Sequence, residues 1–249
     1  EEIELALYKM YKTTGEQRFL DLCAFFLNTR GTRNEKDSPI GGVQKYAQSH
    51  LPIREQFEAA GHSVRATYLY SGMADLALET NDTTLAKACY ALFDDIVNKK
   101  MYVTGGIGST HIGEAFTIGY DLPNDRAYTE TCASIGMIFF ANRMFALDAM
   151  LNGVPSSKYA DIAELELYNG ALSGLSLDGE CFFYENPLEI YLPDRGRVPP
   201  YFNSHDHLPI TQRVRMFGCS CCPPNINRLL ASLGNYFYGY DEEKNVVYI

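Results

Sequence analysis

The sequence predicts a mainly α protein built as an α/α toroid. Apolar residues recur at helical spacing through most of the chain. A weak internal repeat aligns Phe19, Leu85 and Tyr159, in steps of 66 and 74 residues. Each step holds two helices and a long loop, whereas tetratricopeptide and ankyrin arrays repeat at about 33–34 residues with short loops. In a toroid, the long loops gather at one face and build the site there.

The helices are read in order from their periodicity and punctuation. Residues 3–12 and 16–29 form two helices joined at Thr13-Thr14-Gly15, and a loop rich in Gly, Asn, Asp and Ser follows over 30–51. Helices at 54–79, broken near Gly61, and at 82–98 come next. A long Gly-rich loop covers 102–125, followed by helices at 130–148 and 157–173. Residues 178–192 alternate as short strands, with Asp178-Gly179 as their turn. A loop rich in Pro, Asp and His spans 193–212, and a last helix runs from Pro223-Pro224 to Tyr238.

Composition narrows the function. A length of 249 residues suits one large domain or two small ones. Hydrophobic residues at 46% and charged residues at 21% exclude disorder and collagen-like order. No apolar run has the length needed to cross a bilayer. A net charge of −10 argues against binding a phosphate backbone. The expected partner is a small molecule, with no nucleic acid and no membrane. The chain opens in helical pattern at Glu1-Glu2-Ile3-Glu4 with no Met, and closes on the β-type run Val246-Val247-Tyr248-Ile249. It is therefore expected to be an internal piece of a longer protein.

The seven cysteines make a poor disulfide framework, being odd in number and unevenly spaced. Cys23 and Cys89 read as buried small hydrophobes. Cys219-Ser220-Cys221-Cys222 needs another explanation, because such clusters bind metal or do chemistry. Reduced thiols suit a cytoplasmic home. Glu130-Thr131-Cys132 supplies further ligand types for Zn²⁺. Glu130 and Cys132, two residues apart, converge only where a helix is starting. Pro223-Pro224 place Cys221 and Cys222 just before a helix N-terminus, which favours thiolate. A closed zinc site that only staples two loops stays open as the alternative.

The loop Thr104 to Glu114 is dense in glycine but lacks the Lys-Ser/Thr ending of a phosphate loop. Glu114 follows in a largely apolar stretch, where burial is expected to raise its pKa into the general-acid range. A solvated loop glutamate is the plainer reading. His62 stands at a helix start, as a structural histidine or a ligand contact. Tyr184 is either core or a sugar-facing phenol. His205 and His207 fit a metal pair less well than solvated loop residues.

Several segments together resemble the β-L-arabinofuranosidase family of cysteine glycoside hydrolases, glycoside hydrolase family 127. They are Gly61-His62-Ser63-Val64-Arg65-Ala66, Thr104-Gly105-Gly106-Ile107-Gly108-Ser109, Gly113-Glu114-Ala115-Phe116, Tyr120-Asp121-Leu122-Pro123-Asn124-Asp125, Tyr128-Thr129-Glu130-Thr131-Cys132-Ala133 and Cys219-Ser220-Cys221-Cys222-Pro223-Pro224-Asn225. The resemblance implies an (α/α)₆ barrel followed by β-sandwich domains. Residues 1–240 would be part of the barrel and 241–249 the beginning of a sandwich. It implies Cys221 as nucleophile and Glu114 as general acid/base. Glu130, Cys132, Cys221 and Cys222 would be the zinc ligands, with Cys219 in reserve, and His62 and Tyr184 would contact a carbohydrate substrate. Family members are longer at both ends, and a homodimer is the candidate assembly of the full-length protein. Two rivals are carried: a related glycosidase for another sugar, and a helical binding scaffold with structural zinc. The absence of Trp weakens a carbohydrate-binding-module reading, although 18 Tyr and 14 Phe leave ample stacking surface.

Overall fold

A computed structural model describes residues 1–32, 44–190 and 211–248. His205, His207, most of the loop expected at 193–212, part of that at 30–51 and the end of the strand region expected at 178–192 lie outside the described residues. The chain is mainly helical. Helices α1 (Ile3–Thr14) and α2 (Gln17–Thr29) form the first pair. Gly15 ends α1 in the left-handed conformation, its N–H returning to the Tyr11 carbonyl. Helices α3 (Ser63–Thr80) and α4 (Thr83–Asp95) form the second pair, and Asp82 caps α4 by accepting the N–H groups of Thr84 and Leu85. Helices α5 (Thr131–Asn152) and α6 (Lys158–Leu165) form the third.

The pairs stack in two rows. Helix α3 packs between α1 and α5, and α2, α4 and α6 each lie against the partner that precedes them. Phe19, Leu85 and Tyr159, which mark the sequence repeat, all fall in the first turn of an outer-row helix. The inner helices α3 and α5 are buried around most of their circumference, so their apolar residues show little one-sidedness. Helix α5 has the length and mean hydropathy, 1.3, of a membrane-crossing helix, against the expectation that no such stretch exists. Its burial between neighbours is that of a core helix. A chain of ring contacts ties the rows together. Tyr70 on α3 meets Phe140 on α5 at 5.7 Å, Phe140 meets Phe93 on α4 at 5.6 Å, and Phe93 meets Tyr159 on α6 at 4.9 Å. A buried ion pair, Asp75 to Arg143 at 2.8 Å, also joins α3 to α5.

Several boundaries differ from the sequence reading. The helix expected over 54–79 with a break near Gly61 is interrupted there, and α3 begins at Ser63, but residues 54–60 form no α-helix of their own. Residues Ile53–Glu55 make a single 3₁₀ turn, and Gly61–His62 form strand β1, paired antiparallel with β2 (Ala115–Phe116). Gly61 has φ +75°, and a Cβ there would lie 1.9 Å from the Lys45 carbonyl oxygen. Helices α4 and α6 both run on into wide π turns, Ile96–Lys100 and Glu166–Ala171. The alternating stretch after Asp178-Gly179 makes only isolated bridges, Leu175 to Phe182 and Phe182 to Val214, among the described residues. The last helix splits into α7 (Cys222–Ala231) and α8 (Gly234–Phe237), and at the break the Ser232 hydroxyl bonds back to the Arg228 carbonyl. A hairpin of β3 (Gly239–Asp241) and β4 (Val246–Tyr248) follows.

Candidate active site

Three helix N-termini meet at one pocket. His62 is the N-cap of α3, Glu130 of α5 and Cys221 of α7. Helix N-termini carry unpaired N–H groups and favour negative charge. The arrangement suits thiolates and carboxylates before any ligand is considered.

The first cluster is sulfur-rich. Cys132 Sγ lies 3.5 Å from Cys221 Sγ and 3.6 Å from Cys222 Sγ. Cys221 and Cys222 are 3.8 Å apart, and Cys221 Sγ stands 3.4 Å from Glu130 Oε1. Glu130 and Cys132 converge because Glu130 is still extended, with ψ 136°, while Cys132 is already in the first turn of α5. Cys222, expected just outside its helix, is the first residue of α7. Pro223 and Pro224 occupy the same turn, where their missing N–H groups cost nothing. All seven cysteines are free thiols. Glu130 is buried, and its Oε2 has no partner among the described residues.

The electrostatics single out Cys221. Hydrogen bonds from Cys132, Cys222, Tyr184 and Cys219 push its thiol well below the usual range, against the effect of burial. The bond to Cys221 pushes the Cys132 thiol up, and the bonds to Cys132 and Cys221 push up that of Cys222. Burial, then the neighbouring Cys221 charge, raises the Glu130 carboxyl well above the ordinary value.

The second cluster surrounds Glu114. The turn carrying it is left-handed at Gly113 (φ 68°) and at Glu114 itself (φ 51°). Ser63 at the start of α3 donates its hydroxyl to the Glu114 carbonyl at 3.1 Å. His62 Nε2 lies 2.6 Å from Glu114 Oε2, and the Tyr128 and Tyr184 hydroxyls donate to Oε1 at 2.8 and 3.4 Å. His62 Nδ1 already accepts the Val64 N–H at 3.2 Å, so Nε2 carries the proton and donates it. These bonds, His62 first, hold the Glu114 carboxyl below its usual range although burial works the other way. The expectation of a raised value is corrected here: the donors outweigh desolvation at a half-buried carboxylate.

Tyr128 is a site residue that the sequence reading did not single out. Its signal was its place two residues before Glu130. The Gly108 carbonyl accepts the N–H groups of both Tyr128 and Thr129, at 3.1 and 2.9 Å. The Gly-rich loop is thus a strut behind Tyr128. Gly108 has φ +94° and passes so close to α3 that a Cβ would come within 2.9 Å of the Ser63 hydroxyl.

His62, Glu114, Glu130, Cys132, Tyr184 and Cys221 all line one cavity of about 810 Å³, and Cys222 is buried beneath it. Cys219 is exposed at its rim. Arg228 donates to Asn225 Oδ1 at 2.5 Å and to the Tyr68 hydroxyl on the opposite wall. The ligand atoms of Glu130, Cys132, Cys221 and Cys222 all lie within 4.8 Å of one another, as do those of His62, Glu114 and Glu130. Glu130 therefore joins the sulfur cluster to the carboxylate opposite.

The fold and pocket define a helical protein with a thiol–carboxylate centre facing a second, hydrogen-bonded carboxylate. The sequence matches the family model of the β-L-arabinofuranosidase GH127 catalytic domain over residues 1–235. It is 42% identical to a non-reducing end β-L-arabinofuranosidase of Bifidobacterium longum subsp. longum, over 95% of this chain and 36% of that protein. Among solved structures, a GH127 β-L-arabinofuranosidase from Geobacillus stearothermophilus T6 superposes with TM-score 0.84 at 42% identity, covering 97% of this chain and 38% of the other. A further GH127 β-arabinofuranosidase gives TM-score 0.79 at 45% identity, over 96% and 33%. The chain belongs to the GH127 catalytic-domain family, and it spans about a third of the length of these relatives.

Proposed function

We propose that the protein carrying this chain is a retaining exo-glycoside hydrolase releasing terminal β-L-arabinofuranose. Cys221 would be its nucleophile and Glu114 its general acid/base. The observation that carries this reading is the placement of Cys221, at the N-terminus of α7 and open to the same pocket as a carboxylate held by three donors. A staple-only metal site would have no use for that pocket, which disfavours the scaffold alternative. The sugar identity rests on the family and its relatives.

The sulfur cluster fits a tetrahedral zinc site. Bonds of about 2.3 Å to sulfur and 2.0 Å to oxygen set ligand separations of roughly 3.8 Å between sulfurs and 3.5 Å from sulfur to oxygen. The corresponding separations here are 3.5, 3.6 and 3.8 Å between sulfurs and 3.4 Å from Cys221 to Glu130. Glu130, Cys132, Cys221 and Cys222 would hold the ion, with Cys219 in reserve. Bound Zn²⁺ would keep Cys221 deprotonated and aimed.

The chain's own residues supply the remaining steps. Cys221 Sγ attacks the anomeric carbon as the carbon–oxygen bond to the leaving group breaks, and Glu114 delivers its proton to that oxygen. Glu114, now a carboxylate, then takes a proton from water, whose oxygen attacks the same carbon and expels Cys221 as thiolate. His62, Tyr128 and Tyr184 favour the carboxylate, the form needed for the second step. His62 and Tyr184 would also meet sugar hydroxyls. At the scale of the fold, the two-row helix order supports a section of an (α/α)₆ barrel. The hairpin at Gly239–Tyr248, starting just before the boundary at residue 241, would begin the sandwich.

The test is a panel of terminal glycosides on the full-length parent, with zinc measured in the same sample. Cleavage of β-L-arabinofuranosides with retention, at one zinc per chain, is expected. In Cys132→Ala, Cys222→Ala protein the zinc should be lost, and full occupancy there would put the metal elsewhere.

A further inference from the structure

Resting on the arabinofuranosidase reading, we propose that Tyr46, backed by Arg65, is the platform on which the leaving group's sugar ring stacks. A retaining reaction requires nucleophile and acid on opposite faces of the anomeric carbon. The leaving oxygen must therefore lie against Glu114, and the ring attached to it must extend away from Cys221. Tyr46 occupies that side. Its ring lies against the turn that bears Glu114, with Cδ2 only 3.4 Å from where a Cβ on Gly113 would be. It also stands edge-on to the His62 ring, with centroids 5.4 Å apart at 76°.

Tyr46 is fixed in place by its backbone. Its carbonyl accepts the His62 N–H at 3.2 Å and the Gln48 side-chain amide at 2.9 Å. The Arg65 guanidinium lies 5.1 Å from the ring centroid and is itself held by Glu1 at 3.1 Å. Tyr46 is half-buried and lines both the catalytic pocket and a neighbouring cavity of about 970 Å³, whose walls include Phe57, Ile118 and Asp121. A rigid aromatic ring between two open spaces, beside the acid and with the guanidinium against one face, offers a sugar its other face. The ring takes the C–H face, and the guanidinium donates to hydroxyls. The ligand class is a glycosyl leaving group.

The experiment compares two substrates on the full-length, zinc-loaded enzyme. One is a β-L-arabinofuranosyl disaccharide; the other is methyl β-L-arabinofuranoside, which needs the same protonation but offers no ring to stack. Tyr46→Ala should lower kcat/KM for the disaccharide roughly tenfold, chiefly through KM, and change it less than twofold for the methyl glycoside. Tyr46→Phe should keep the wild-type ratio of kcat/KM between the two substrates, because the ring face does the binding. An equal loss on both substrates would make Tyr46 a brace for His62 and overturn the proposal, as would no loss on either. A loss in Tyr46→Phe matching that in Tyr46→Ala would assign the effect to the hydroxyl and overturn it too. Wild-type enzyme that cleaves neither substrate would overturn the arabinofuranosidase reading itself, and the platform with it.

Discussion

At the scale of single residues, a half-buried acid and a fully buried one behave in opposite ways. Glu114 is surrounded by donors, and Tyr128 gives it one of the shortest bonds in the pocket, 2.8 Å. In the mechanism proposed, free enzyme must carry Glu114 protonated for the first step, so kcat/KM falls as pH rises through its pKa. Tyr128→Phe removes a donor to the carboxylate and raises that pKa. The alkaline limb of the kcat/KM profile should move to higher pH, with kcat on a disaccharide down roughly tenfold. Glu166 is the contrasting case. It is fully buried in the π turn after α6, where the Ser134 hydroxyl favours its carboxylate and burial outweighs it. Burial raises its pKa well above the ordinary value. The unfolded chain binds fewer protons there than the folded one, so stability is lost as pH rises from the unfolded value of about 4.3 towards the folded one. Glu166→Gln should stabilise by about 1–3 kcal/mol near neutral pH, and less under acid conditions. Thermal melts of both proteins across pH test it. Of these residues, Glu114 was legible in the sequence but the direction of its titration was not. That direction depends on His62 and Tyr128, brought to it by folding.

At the scale of elements, the site is a junction of helix starts, and its sharpness depends on how closely α3 and α5 approach. Gly136 on α5 faces Thr67 on α3 so tightly that a Cβ would come within 2.2 Å of the Thr67 hydroxyl. Gly136→Ala should force the two helices apart and cost about 1–3 kcal/mol, measured by denaturant unfolding. It should also weaken zinc binding, because α5 carries Glu130 and Cys132. The helices themselves were readable from periodicity and punctuation: Gly15 and Asp82 mark a stop and a start in the sequence and in the structure. The break before α3 was readable at Gly61 and His62, but what enforces it was not. It is set by a left-handed Gly61 pressed against Lys45 and by a two-residue pairing with Ala115–Phe116, contacts remote in sequence. The π turns after α4 and α6 were equally hidden, since one extra residue per turn leaves the local apolar pattern nearly intact.

At the scale of the molecule, the two-row order places the starts of α3, α5 and α7 at one pocket, where described loop residues such as Tyr46, Glu114, Tyr184 and Cys219 also gather. The sequence repeat at Phe19, Leu85 and Tyr159 anticipated that order, because it marks the outer helices. The sulfur cluster, drawn from positions 89 to 91 residues apart, was legible only through the chemistry of its residue types and the family likeness. The central claim is that Cys221, not a carboxylate, bonds to the sugar. An arabinofuranose-derived covalent inhibitor, reacted with the full-length zinc-loaded enzyme and mapped by peptide mass spectrometry, tests it most directly. The account predicts a single adduct on Cys221, absent in Cys221→Ser. An adduct on Glu114 would contradict it.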